Sequence, residues 1–583
     1  MMSRSLPPAR SPLPVGHFER QRTPEPTDWL TDRLGRVQSR WRARPSRRRQ
    51  LQRELEQWRG TLGDLDLTQA AVSAGERLRR DGLEPSALAY AFALVDEALY
   101  RAKGFRFHPT QLQAGWHLCL GQMAEMATGE GKTLTATLPS ATYAMMGVPV
   151  HVITVNDYLT ERDREEADEV LSHLGIGTGV VTHDHDEAAK RDAYQQAVTY
   201  VTNKEVVFDY LRDRDEAMET LPLTQQLATL QRPQPPVVRD LGLAIVDEAD
   251  SVLIDEANIP LILTAPTEND LTETMINQAV ALAAQMSESD WEAAEELSEG
   301  RIRQDRLREL IASIENPDKG WSSLAMGEEL LNQARVAERR YQRDIQYIID
   351  DDALVIVDEN TGRPMPDRSL PWGLQQVLEV REGLPPSKDR RTLSKLSYQR
   401  YFRRYHSLVG MSGTLHEVRR ELRQVYDCPI APIPTFRPVI RGLQRQRLFA
   451  TEDEKIDAVV ERVTQLSRSG RAVLVGVTSV SLSERVHTEL SEHGLSNGLI
   501  NARTLADEAD LVATAGESGR VTVVTNMAGR GTDIKLSAEC KAAGGLHVII
   551  MDCLESARLD RQLYGRAGRQ GDPGPYAIFH SLD

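Results

Sequence analysis

Residues Thr128–Thr133 read Thr-Gly-Glu-Gly-Lys-Thr. Gly129 and Gly131 let successive backbone N–H groups turn toward one phosphate at a helix N-terminus, and Lys132 and Thr133 follow where an ammonium and a hydroxyl can reach the outer phosphates and a hard cation. A strict P-loop would carry glycine at Met126, so the match is to the shorter loop of helicase-like ATPases. Further on, Asp247 and Glu248 in Val-Asp-Glu-Ala-Asp follow the apolar run Leu243–Val246. At a strand end, the first carboxylate can orient a magnesium ion and the second can polarise an attacking water. An acidic cluster without such a strand is usually only a solvated turn. A third group, Gln562–Asp572, sets Arg566 and Arg569 three residues apart. On a helix they would share one face and could present guanidinium forks to a transferring phosphoryl group.

Cradle, carboxylates and arginines in that order predict ATP hydrolysis with Mg2+. Lys132, Asp247, Glu248, Arg566 and Arg569 are the expected catalytic groups, and Thr133 and Asp247 the metal side. Thr128, Gly129, Glu130, Gly131, Lys132 and Thr133 are the expected nucleotide contacts. In Thr525–Ile534, which follows another apolar run, Asp533 and Arg530 are placed for the ribose or magnesium side.

The elements that must position these groups are α/β in pattern. Val150–Val155, Val198–Val201 and Leu243–Val246 are apolar runs of strand length, each followed by polar or helical sequence, and such alternation gives a parallel sheet covered by helices. A second series follows with Ala472–Val477, Val521–Thr525, Leu546–Met551 and Ala577–His580. Between the two lies charged sequence of helical character (Leu271–Ala284, Asp290–Leu297, Ile302–Ile314, Leu324–Tyr341) and a hairpin pattern, Ile345–Ile349 with Ala353–Val357. Residues 51–104 read as helical, with Leu88, Phe92, Val95 and Leu99 in one stripe. The predicted organisation is a basic extension over 1–55, a first nucleotide-binding lobe over 56–264 and 368–432, an insert over 265–367, and a second lobe over 433–583.

The 583 residues exceed what one core can serve. Cys119, Cys428, Cys540 and Cys553 form no CxxC pair, which favours a reducing compartment. No apolar stretch is long enough to span a bilayer as a helix. The net charge of −16 argues against a chain that coats nucleic acid. Residues 1–50, however, hold twelve arginines against Glu19, Glu25, Asp28 and Asp32, about +8, which leaves about −24 on the rest. Leu30, Leu34, Val37 and Trp41 recur there at helical spacing, so this segment is either a basic amphipathic helix for an anionic membrane surface or a basic tail around a docked helix.

The runs AEMATGEGKTLTATLP, VHVITVNDYL, FDYLRD, VDEADSVLIDEA, PLILT, IVDENTGRPM, GMSGT, TNMAGRGTDI and GRAGRQGD resemble the SecA family over roughly residues 85–583. VNDYL, FDYLRD and the pair IDEA with PLILT carry most of the specificity. The resemblance implies two RecA-like P-loop NTPase lobes with ATP between them and an inserted α+β preprotein cross-linking domain. It implies hinge strands around Tyr347–Arg363, a connector at Thr435–Pro438, and an adenine-reading role for Gln111. It further implies an unfolded preprotein as client, a Sec-type membrane channel as partner, and a cytoplasmic protein peripheral to the inner face of a bacterial inner membrane. Oligomeric state is left open. Asn360 stands where the family usually has histidine, MDCLESARLD replaces a more basic version, and the sequence ends where the family continues into a helical scaffold, so altered coupling is expected. Two alternatives remain: a superfamily 2 RNA or DNA helicase, and a nucleotide-gated accessory protein without motor output.

Overall fold

The computed structural model describes residues 44–213, 236–238, 240–257, 259–266, 271–287, 290–292, 301–343, 345–350, 353–357, 364–365, 370, 373–388, 390–500, 511–512, 514–525, 534–552 and 556–582. The expected amphipathic helix at Leu30–Trp41 and the residues Asn360, Arg530, Asp533 and Cys553 lie outside them. The chain divides into two compact units, residues 1–263 with 394–583, and Thr264–Leu393.

The first unit holds two parallel sheets. In one, the strands run in the order Ile430–Pro432, Met123–Glu125, Ser407–Ser412, Leu243–Asp247, Val150–Thr154, Val198–Thr202, Thr178–Val181. The central strands are buried from end to end because both faces are covered. In the other the order is Leu443–Phe449, Tyr576–Ser581, His547–Met551, Val473–Val477, Val521–Thr525, Asn497–Ile500. These are RecA-like lobes, and every ladder of both sheets is parallel.

Three helices, Pro45–Arg59, Leu67–Asp81 and Pro85–Lys103, precede the first lobe. Leu88, Phe92, Val95 and Leu99 are all fully buried. Asp96 on the third helix, itself fully buried, accepts from Phe107 N at 3.0 Å, Arg59 Nε at 2.8 Å and Arg106 Nη1 at 2.8 Å. An acidic group taken out of water is tolerated when charge and hydrogen bonds surround it. Here it fixes the entry to the helix Pro109–Cys119, which carries Gln111.

The second unit packs Glu273–Ala283, Gln304–Ala312 and Leu324–Arg340 around one apolar cluster, with Tyr347–Asp350 and Ala353–Val357 forming an antiparallel pair. The helix Leu374–Arg381 shares that cluster through Leu374, Val377 and Leu378. The unit therefore runs to Leu393 and takes in residues expected in the returning part of the first lobe, because their apolar face is buried here. The helix expected from Asp290 is also replaced at its start. Trp291–Glu292 pairs antiparallel with Arg301–Ile302, an aromatic-containing segment finding a strand partner in preference to a helical turn.

Among the described residues, no helix is long and apolar enough to cross a membrane. Cys119, Cys428 and Cys540 are buried and form no disulfide among the described residues.

Candidate functional site

The phosphate loop lies at the mouth of the helix Lys132–Met145. Gly129 and Gly131 have φ of 87° and 79°, the left-handed region that side chains resist. Space is tight there as well. A Cβ on Gly129 would lie 3.1 Å from Arg569 Cδ, and one on Gly131 would collide with the Gln111 amide nitrogen. Each end of the Gln111 amide has one partner: Nε2 donates to Glu130 O at 3.2 Å, and Oε1 accepts from His108 N at 2.9 Å.

Lys132 pairs directly with Glu248, and its Nζ lies 3.6 Å from Asp247 Oδ1. Both Lys132 and Glu248 are buried. Burial alone would lower the lysine pKa, but the Glu248 and Asp247 carboxylates outweigh it and hold the ammonium above its usual value. Burial raises Glu248 against the opposing pull of Lys132, with Asp247 and Asp250 adding to the rise. Glu248 sits at φ 49°, a strained conformation for a residue with a side chain, of the kind that persists where the surroundings over-determine it. Its Oε2 accepts from Ser412 Oγ at 3.5 Å. Thr133 Oγ1 is 3.5 Å from Asp163 Oδ1, and burial pushes Asp163 up to about 6 despite Arg162 at 2.7 Å.

Lys132, Thr133, Asp247 and Glu248 line one cavity of about 630 Å3 with the phosphate loop, Gln111, His108, Tyr158, Phe436 and Gln570. The second lobe reaches it directly, since Gln570 Nε2 donates to Gly129 O at 2.9 Å. The sequence spacing put Arg566 and Arg569 on one helical face; the structure does not. The helix Ala557–Tyr564 stops at Gly565, and Gly568 takes φ 63° with no room for a Cβ against Arg441. Arg566 is buried in the turn after the helix, and Arg569 packs on Gly129 from the start of a 3-10 turn.

The helix itself presents a set that sequence reasoning missed. Arg558 Nη1 donates to Asp250 Oδ2 at 2.9 Å, and Arg558 also pairs with Asp255. Gln562 Nε2 donates to the same Asp250 oxygen at 2.6 Å and to Thr414 Oγ1 at 3.2 Å. Thr414 in turn donates to Asp250. The last acid of Val-Asp-Glu-Ala-Asp is thus fully buried and held from both lobes. The glutamine that opens QLYGRAGR was the available signal for this contact. Arg561 adds an outer bridge to Glu417 and lies 3.4 Å from Glu125.

The SecA DEAD-like domain matches residues 31–423, and the SecA P-loop domain matches 438–543 and 537–583. The protein translocase subunit SecA 2 of Bordetella avium is 44% identical over 566 residues, covering 95% of this chain and 84% of that protein. The protein translocase subunit SecA 3 of Magnetococcus marinus is 41% identical, with 87% and 77% covered. The protein translocase subunit SecA of Oleidesulfovibrio alaskensis is 40% identical over 85% of this chain and 56% of its own. Two nucleotide-binding lobes, a phosphate loop facing a carboxylate pair, and similarity over nearly the whole length lead to one assignment: the chain belongs to the SecA family and is an ATPase of it.

Proposed function

We propose that this ATPase uses ATP hydrolysis to bind and move unfolded preproteins at the cytoplasmic face of a bacterial inner membrane, with a Sec-type channel as partner. The relatives' names as protein translocase subunits support the substrate class. The observation that carries the motor reading is the clasp on Asp250. Arg558 and Gln562 of the second lobe hold a carboxylate two residues from Glu248, so a change at the hydrolytic site is felt across the lobe junction.

In this reading the triphosphate seats on the N–H groups of Gly129–Thr133 and draws Lys132 away from Glu248. The released Glu248 carboxylate orients the attacking water and accepts its proton. Thr133 Oγ1 and the Asp247 carboxylate are hard oxygen donors beside the loop, a set that suits Mg2+. The ion, when bound, would neutralise charge on the phosphate oxygens. Arg569, packed on Gly129, and Arg566 supply guanidinium charge from the second lobe, and Arg530 and Asp533 complete the nucleotide contacts. The unit Thr264–Leu393 is the clamp for extended polypeptide, and the arginine-rich start is the contact with anionic lipid.

The test compares ATP turnover of the purified chain alone with turnover in the presence of an unfolded preprotein, anionic vesicles or single-stranded RNA. Stimulation by preprotein and vesicles is expected. Stimulation by RNA alone would make the chain a helicase, and no stimulation by any of the three would make it a nucleotide-gated accessory protein.

A further inference from the structure

A triphosphate held on Gly129–Thr133 leaves its nucleoside end to be gripped by something other than cations. Three rings line the cavity: His108, Tyr158 and Phe436. Tyr158 lies beneath the Arg162 guanidinium, 6.0 Å from the ring centre. The other two lie face to face, centroids 3.9 Å apart and planes 19° apart. Both are tied to the phosphate loop by backbone hydrogen bonds. Phe436 N donates to Glu130 Oε2 at 2.9 Å, and His108 N donates to the Gln111 amide that in turn donates to Glu130 O. The ring pair is therefore registered against the cradle.

Phe436 is nonetheless 47% exposed, although it is a large apolar side chain on a short segment between the lobes. A stacked pair with one member uncovered is a half-built aromatic sandwich, and a planar heteroaromatic ring completes it. We propose that His108 and Phe436 form the platform on which the base of the nucleotide stacks, and that they set a preference for purine over pyrimidine triphosphates. The larger π surface of a purine covers more of the platform than a pyrimidine does. The proposal rests on the nucleotide site placed above and adds to it the two side chains that choose the base.

The test measures kcat/KM for ATP and for UTP in the wild-type chain and in Phe436→Leu, which keeps apolar bulk and removes the ring, with His108→Ala as an independent second variant. Each should lower kcat/KM for ATP about tenfold and for UTP less than threefold, so that the ATP to UTP ratio collapses. An unchanged ratio, whether both substrates suffer equally or neither does, would overturn the stacking role. A wild-type chain that hydrolyses neither nucleotide and is indistinguishable from Lys132→Ala would overturn the nucleotide site and this inference together. Wild-type hydrolysis of both nucleotides with equal kcat/KM leaves the site standing and removes only the platform.

Discussion

Lys132 and Glu248, separated by 116 positions in the chain, are in direct contact across the cavity. The pair neutralises the two groups that the chemistry needs apart, the lysine for phosphate and the carboxylate for water. Glu248→Gln removes the proton acceptor while keeping the shape. It should still bind ATP, and hydrolysis should fall by about 10² or more. A fluorescent ATP analogue gives the affinity, and phosphate release gives the rate; a rate within threefold of wild type would take the base role away from Glu248.

Removing the other partner has a different cost. Lys132→Ala leaves the buried Glu248 facing Asp247 and Asp250 with no ammonium between them, and a broken buried ion pair typically destabilises by about 3–5 kcal/mol. The Lys132→Ala, Glu248→Gln double variant should recover much of that loss without recovering turnover. Urea unfolding of the nucleotide-free proteins reads the difference. Equal stability of single and double variants would mean that the pair is electrostatically idle.

What the sequence made legible divides along physical lines. The phosphate loop and the carboxylate pair depend on local chemistry, glycine freedom at 129 and 131 and a strand before 247, and both stand where the residue types imply. The buried strands Val150–Thr154, Val198–Thr202, Leu243–Asp247, Val473–Val477, Val521–Thr525 and His547–Met551 were readable because parallel strands covered on two faces are continuous apolar runs, whereas Ser407–Ser412, equally buried, was not, since serine and glycine break up its apolar run. Leu443–Phe449 was not, since it lies at a sheet edge with Gln444, Arg445, Gln446 and Arg447 exposed. Arg566 and Arg569 were legible as a motif but not as geometry, because Gly565 and Gly568 end the helix that spacing alone would continue. The Arg558 contact was invisible for a different reason. It exists only where two distant segments meet, and no local period encodes it.

That contact predicts a coupling phenotype. Arg558→Ala leaves Asp250, fully buried, with Thr414 and Gln562 but without its guanidinium partner, and it also removes the Arg558 pairing to Asp255. The lobes should then separate more readily. Amide hydrogen exchange should rise in the helix Ala557–Tyr564 and around Thr414, while the exchange of the central strand Val150–Thr154 stays as it was. Arg558→Lys should rescue only part of the effect, since one ammonium cannot bridge two carboxylates in the way a planar fork does. Unchanged exchange in Arg558→Ala would show that the lobes are held together elsewhere.

A last prediction concerns acid stability. His547 is fully buried on a central strand of the second lobe, and neither ring nitrogen has a hydrogen-bond partner among the described residues. Burial, with Arg462 and Arg471 nearby, pushes its pKa down to about 4, against 6.5 for a free imidazole. Above pH 6.5 the ring is neutral in both folded and unfolded chains and has no effect on the balance. Between about 6.5 and 4 only the unfolded chain takes the proton, so the fold loses about 1.4 kcal/mol per pH unit from this residue as pH falls. Buried His151, also held near 4, adds to the slope in the first lobe. His547→Phe keeps a planar ring and removes the titration. It should leave stability at pH 7.5 equal or higher and flatten the loss between pH 6.5 and 4.5, as read by urea unfolding across that range. A variant with the wild-type slope would mean that the imidazole already finds a proton partner in the folded lobe.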